Sequence, residues 1–183
     1  VVPTEPDPTV TIAAVGDIMM YDEQLDAARQ DDGTYDFTSS FAAVSGSTVS
    51  ADLTVGNLEL NFCGEPYSGK PDFRAPESLA KTLSSIGFDV LQTANTYSIQ
   101  NGLSGLQSTI RYLDAAGLSH VGTYAAQDDK TSLGGVLLKN VNGVKIAFIA
   151  YTKGLNYLTL PEGEEYAVDV LYTDYASDFN KIN

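Results

Sequence analysis

Three segments of this chain each run through apolar residues and then stop on a small polar side chain. "TIAAVGD" delivers Asp17, "LTVGNLEL" carries Asn57 and Glu59, and "VLQTAN" closes on Asn95. At the carboxyl ends of parallel strands the flanking helices diverge and leave a crevice, so groups placed there can converge. Carboxylate and amide oxygens together make a donor set for a hard divalent cation, with Asp17, Glu59 and Asn95 as the candidate ligands. The same residues serve equally well as plain helix caps, Asp17 and Asn95 in particular. Tyr97 stands two residues beyond Asn95, where a strand-end loop often carries chemistry. Arg74, in "DFRAP", precedes a helix and could bind an anion or pair with a surface carboxylate.

Other chemistries are poorly served. "VGD" and "VGN" offer one glycine each, too few for a phosphate-cradling loop. No cysteine–histidine pair has zinc spacing, and no Gly-x-Ser-x-Gly turn presents a nucleophile. His120 is the only histidine, which excludes a histidine-rich metal centre within these residues. At the start of a strand in "LSHVG" it reads as a partly buried packing residue. Cys63 is the only cysteine, so no disulfide can form within the chain. The 11 tyrosines invite a sugar-stacking role, but scattered through strands they read as sheet and core residues.

The elements that must position these groups alternate. "TVTIAAVGDIMM" reads as an apolar strand buried on both faces, as parallel strands covered by helices do. "YDEQLDAARQ" follows as a helix, and "FTSSFAAVSGSTVS" as a second, short helix with Gly46 near its end. "ADLTVGNLEL" is the next strand. "APESLAKTLSSIGF" has Pro76 suited to the first helical position, Gly87 to the stop, and Leu79, Leu83 and Ile86 on one stripe. "DVLQTAN" is a strand, "LSGLQSTIRYLDAAG" a helix capped at Gly117, and "SHVGTYA" a strand. Asn142-Gly143, between two strand-like runs, is a two-residue hairpin turn, because both positions tolerate positive φ. The remainder reads as loop, a weak strand and the start of a helix. Strands alternating with helices predict an α/β fold: a mixed, mostly parallel sheet with flanking helices.

The 183 residues suffice for one domain or a large piece of one, and 43% hydrophobic residues suffice for a core. With 24 acidic and 10 basic residues the net charge is −14. Such a surface repels nucleic-acid backbones and anionic membranes. No run approaches the ~20 apolar residues of a membrane span. Residues 1–9, "VVPTEPDPT", have linker composition, fitting the stretch after a removed signal or lipid anchor as well as an ordinary ragged terminus. Residues 10–183 then form the domain.

"AAVGDIMM", "ADLTVGNLEL", "FRAPESLAKTLSSIGFDVLQTAN", "GLSGLQSTIRYLDAAGLSHVG" and "GVKIAFIAYT" together resemble the CapA-type proteins of bacterial capsule and poly-γ-glutamate synthesis. The resemblance implies a layered, calcineurin-like metallophosphatase-type sandwich. It implies an extracellular or cell-surface protein, often lipid-anchored, that takes part in polymer export, attachment or processing. It places Asp17 at the family's Gly-Asp, Glu59 at the glutamate of Asn-Leu-Glu, and Asn95 at the first asparagine of an Ala-Asn-Asn-His motif. There the chain departs: Thr96 replaces the second asparagine, Tyr97 the histidine and Gln100 a following aspartate. A phenol is a poor substitute for imidazole as a proton shuttle. The family's later histidine-rich segments are absent, so these residues read as an incomplete version of the fold.

The favoured expectation is therefore a surface protein of capsule or poly-γ-glutamate biosynthesis that is non-catalytic or holds a degenerate metal site. The alternative is a metal-dependent hydrolase of phosphoester or amide bonds that needs further sequence. Lys70, Arg74 and Lys81 offer a local basic patch for an anionic polymer or another envelope component. An exposed sheet edge offers a route to a homo-oligomer.

Overall fold

The computed structural model describes residues 8–171; residues 1–7 and 172–183, which hold most of the expected linker and the expected terminal helix start, lie outside the described residues. The architecture is α/β. Four strands, β1 (Ile12–Ile18), β2 (Leu53–Leu58), β3 (Val90–Gln92) and β4 (Ser119–Val121), form one sheet in the order β1-β2-β3-β4. Every pairing in it is parallel. Helix α1 (Asp22–Ala28) and the short α2 (Thr38–Phe41) and α3 (Ser45–Ser50) connect β1 to β2. Helix α4 (Ser78–Ser85) precedes β3 and α5 (Gly102–Ala115) precedes β4. Beyond β4 come α6 (Gln127–Leu133) and an antiparallel pair, β5 (Leu137–Val141) and β6 (Val144–Phe148).

Local chemistry sets these boundaries. The β5–β6 turn has Asn142 at φ 52° and Gly143 at φ 82°, the doubly positive geometry that matches the right-handed twist of a hairpin. The apolar stripe of α4 goes inward, leaving Leu79 and Leu83 fully buried. Each such leucine contributes about 1.5–3 kcal/mol by leaving water. Two cores result. One joins α1 and α4 with Leu58, Phe62, Phe73 and Leu91; the other joins α5 with Leu53, Val90, Val121 and Val168.

Three expectations are corrected. β1 is not buried on both faces: it lies at the sheet edge, and Ile12 and Val15 are 46% and 39% exposed. Its apolar run reflects strand propensity rather than burial, since only Ile18, at its end, is buried. The segment around Gly46 is two short helices rather than one, with Gly46 inside the second instead of near its end. Helix α4 starts at Ser78, two residues beyond Pro76. The Lys130 helix, α6, has no apolar period of its own and is held by tertiary contacts that the sequence pattern does not announce.

Candidate functional site

The strand ends assemble a polar network. Pairing of β1 with β2 runs in step from Ile12–Leu53 to Ala14–Val55, then slips, so that Asp17 rather than Gly16 stands beside Asn57. An extra residue of this kind re-aims a side chain at the end of a strand. Here it sets the Asp17 carboxylate against the Asn57 amide: Asn57 Nδ2 donates to Asp17 Oδ1 at 2.7 Å and to Glu59 Oε2 at 2.9 Å. Asn57 and Glu59 are two residues apart on the β2 segment, so their side chains leave the same face.

Asn95 fixes the orientation of Asn57. Its Nδ2 donates to Asn57 Oδ1 at 3.1 Å and to the Leu58 carbonyl at 2.7 Å, while its Oδ1 accepts the Tyr97 N–H at 3.1 Å. The Ser98 hydroxyl accepts the Asn95 N–H and donates to the Thr93 carbonyl, closing the turn that follows β3. With the Tyr97 N–H on one side and a carbonyl on the other, the Asn95 amide has one satisfactory orientation, which dictates that of Asn57 in turn. All four amide hydrogens of the two asparagines are committed.

The electrostatics follow. Asn95 is buried and Glu59 half-buried, whereas Asp17 is open to solvent. Burial, and then the neighbouring Asp17 charge, push the Glu59 carboxyl up, and the Asn57 hydrogen bond partly opposes them. Neither Asp17 nor Glu59 is ion-paired with any described residue. Tyr97 lies at the margin, its ring edge-on to Phe73 with centroids 4.6 Å apart and packed against the first core. Phe73 in turn meets Tyr21 edge-on at 5.2 Å.

Asp17, Asn57, Glu59 and Asn95 are thus brought together, with Tyr97 joined to them through its backbone. The capping alternative is not realised for Asp17, since the N-cap of α1 is Tyr21. Arg74 stands elsewhere: its Nη2 donates to the carbonyls of Cys63, Gly64 and Glu65 at 3.0–3.3 Å, tying the loop that leads into α4. Glu77 completes that loop by accepting the Gly64 N–H and the Tyr67 hydroxyl. Lys70 and Lys81 are exposed, while Arg74 is not. Burial raises the half-buried Cys63 thiol, the nearby Arg74 charge working against it, so the thiol form prevails at neutral pH.

Oxygen donors suit a hard cation, and Asp17 and Glu59 would be its ligands. Between them, however, the Asn57 amide presents hydrogens and not its oxygen, and Asn95 likewise turns its NH2 group inward. Among the described residues no group of three or more His, Cys, Asp and Glu side chains is placed to hold a metal ion. The residues as arranged do not fit a pair of bound metals; they fit a carboxylate pair bridged by a neutral amide. The sequence pattern could signal the three strand ends, but not that Asn57 is the hub, because that depends on the slip in β1.

A second polar cluster escaped sequence reasoning. Asp169, 1% exposed, accepts Lys130 Nζ at 2.6 Å and the Tyr124 hydroxyl at 2.6 Å. Its members are 39 and 45 residues apart in sequence, with no motif to link them.

Comparison with known proteins gives a consistent picture. A family described as bacterial capsule synthesis protein PGA_cap matches residues 11–178. The chain is 29% identical over 149 residues to the capsule biosynthesis protein CapA of Bacillus anthracis, a match covering 78% of this chain and 34% of that protein. It is 26% identical over 158 residues to the PGA biosynthesis protein CapA of Bacillus subtilis (strain 168), covering 82% of this chain and 39% of that one. The chain therefore spans between a third and two-fifths of the length of these relatives.

Proposed function

Since the chain belongs to the bacterial capsule synthesis protein family PGA_cap, we propose that it serves the synthesis of a capsular polymer at the cell surface, as a member that binds and does not turn over. Two named relatives are proteins of capsule and PGA biosynthesis, which supports the capsule role. No helix among the described residues is long and apolar enough to cross a membrane.

The observation that carries the non-catalytic reading is the Asn57 amide. Its two hydrogens occupy the space between Asp17 and Glu59, where a hydrolytic centre would need a Lewis acid or a proton-transfer group. Tyr97, at the family's histidine position, contributes its backbone N–H to Asn95 and lays its ring against Phe73. That side chain packs; it does not shuttle protons. The fold keeps the crevice while its polar groups satisfy one another.

Two measurements test this together. Deleting the gene from its host should lower cell-associated capsule. Purified protein incubated with the isolated polymer and Mn2+ should leave the polymer's length distribution unchanged on a gel. Polymer shortening that Asp17→Asn abolishes would overturn the non-catalytic reading; unchanged capsule on deletion would overturn the capsule role.

A further inference from the structure

Behind the turn that carries Asn95 lies a small internal cavity. It leaves about 10 Å³ in which the centre of a water molecule can sit, the size of a one-water site. Five of its eight lining residues are polar: Asn61, Thr93, Ser98, Thr109 and Thr123, with three leucines making up the rest. None of the eight is more than 6% exposed. They come from the end of β2 and the segment after it, the turn after β3, α5, and the segment after β4. The cavity is therefore enclosed by the described residues themselves. An apolar void of this kind stays dry, whereas buried polar walls recruit water.

The walls have acceptor capacity to spare. The Thr93 and Thr123 hydroxyls share a hydrogen bond at 2.6 Å, and Thr93 also reaches the Val121 carbonyl at 3.2 Å. Whichever threonine donates, the Thr123 oxygen keeps at least one unused lone pair. Thr109 donates to the Gly105 carbonyl at 2.8 Å and accepts the Phe62 N–H at 2.9 Å, which leaves one more lone pair. Asn61 directs its Nδ2 hydrogens to the Leu60 and Ser98 carbonyls, both at 3.2 Å, the long end of such bonds, and its Oδ1 accepts from Asn101. Ser98 is saturated: its hydroxyl accepts the Asn95 N–H and faces the Thr93 and Asn95 carbonyls. The space calls for a small guest with two hydrogens to give and a lone pair to receive one. No carboxylate lines it, so an ammonium there would bury a charge without a partner.

We propose that this cavity is a binding site for one structural water, which donates to Thr123 and Thr109 and accepts a hydrogen from Asn61 Nδ2. Three partners are the usual complement of an internal water. Its role is positional. Asn61 Nδ2 also reaches the Ser98 carbonyl, and the Ser98 hydroxyl holds the Asn95 N–H. The water thereby ties α5 and the segment after β4 to the turn that aims Asn95 at Asn57. A buried polar network whose members are all satisfied is rigid, and one left short of a partner is not.

The test is a high-resolution crystal structure of the 183-residue chain, wild type beside Thr123→Val and Thr123→Ser. Valine keeps the shape of threonine without its hydroxyl; serine keeps the hydroxyl. The wild type and Thr123→Ser should each show one water within hydrogen-bond distance of the hydroxyls at positions 109 and 123, and Thr123→Val should show none. In solution, hydrogen exchange of the Asn95 backbone amide should speed up by about two- to tenfold in Thr123→Val, the range for one ordinary hydrogen bond, and by less in Thr123→Ser. A dry cavity in the wild type would overturn the proposal, as would a water that stays in Thr123→Val or touches neither hydroxyl. An Asn95 amide that exchanges equally in all three proteins would overturn the positional role. If Thr123→Val does not fold, the wild-type density and the serine variant decide by themselves. The capsule role is read by gene deletion and does not move with any of these outcomes.

Discussion

Replacing Asn57 by aspartate changes one atom group and inverts the logic of the network. The wild-type amide gives one hydrogen to Asp17 at 2.7 Å and one to Glu59 at 2.9 Å. Asn57→Asp removes both bonds and puts a third carboxylate between two others. Bonds to charged acceptors are worth about 1.5–3 kcal/mol each when protected; with Asp17 exposed and Glu59 half-buried, about 2 kcal/mol for the two together is appropriate. The new repulsions add about 1–4 kcal/mol per close pair, depending on local dielectric. A loss of about 4 kcal/mol at pH 7 corresponds to a fall of about 8–16 °C in melting temperature for a chain this long. Asn57→Ala, which loses the bonds without the charge, should fall by about half as much. The excess should vanish at low pH, where the carboxyls protonate, and should shrink when millimolar Ca2+ is added, since three carboxylates then make a cation site. Thermal melts followed by circular dichroism at pH 7 and pH 4, with and without Ca2+, read all of this. An aspartate variant that melts with the wild type at pH 7 would refute the reasoning, because the three groups could not then be in contact.

Other outcomes follow from the same geometry. Lys130→Met removes the ammonium from Asp169, which is 1% exposed. It should cost about 3 kcal/mol, and Asp169→Asn in the same chain should restore part of it, as a double-mutant cycle would show. Gly122 has φ +93°, and a Cβ there would lie 2.5 Å from Ala94 Cβ; Gly122→Ala should lower the melting temperature by several degrees where an exposed-site Gly33→Ala lowers it less. Burial holds His120 below the usual imidazole value of 6.5, with Asp114 and Asp129 opposing. The unfolded chain therefore takes up that proton first, and stability should decline as pH falls below 6.5, a slope that His120→Gln should flatten. Glu59 works in the opposite direction: raised above 4.5, it penalises folding as pH climbs through its folded value, so Glu59→Gln should stabilise at pH 7 and make no difference below 4.5.

Much of the frame was legible in the residues. Continuous apolar runs bounded by turn residues marked β1 to β4, and the Asn142-Gly143 pair marked the hairpin, because both signals arise from local sterics and periodicity. Helices α4 and α5 showed through one-sided leucines and the glycines that follow them. What stayed hidden depends on distance in the sequence. β1 reads like a central strand, yet order in a sheet is decided by crossovers that composition does not encode. The three strand ends were recognisable as neighbours, but the slip that delivers Asp17 to Asn57 leaves no mark in "AAVGD". Arg74 looked like an anion binder because an arginine before a helix often is one. Its guanidinium goes to carbonyls 63–65 because the loop folds back on itself, as the bridge between Asn61 and Arg74 shows. Lys130 and Asp169 carry no pattern at all.

The most direct measurement is the pair of side-chain amide proton resonances of Asn57, assigned by NMR in 15N-labelled protein and followed from pH 7 to pH 3. With each hydrogen held on a carboxylate, the two should be well dispersed, slow to exchange with water, and should shift together as Glu59 protonates. Resonances at random-coil positions that exchange fast and ignore the titration would mean that the strand ends do not meet, and the site would dissolve with them.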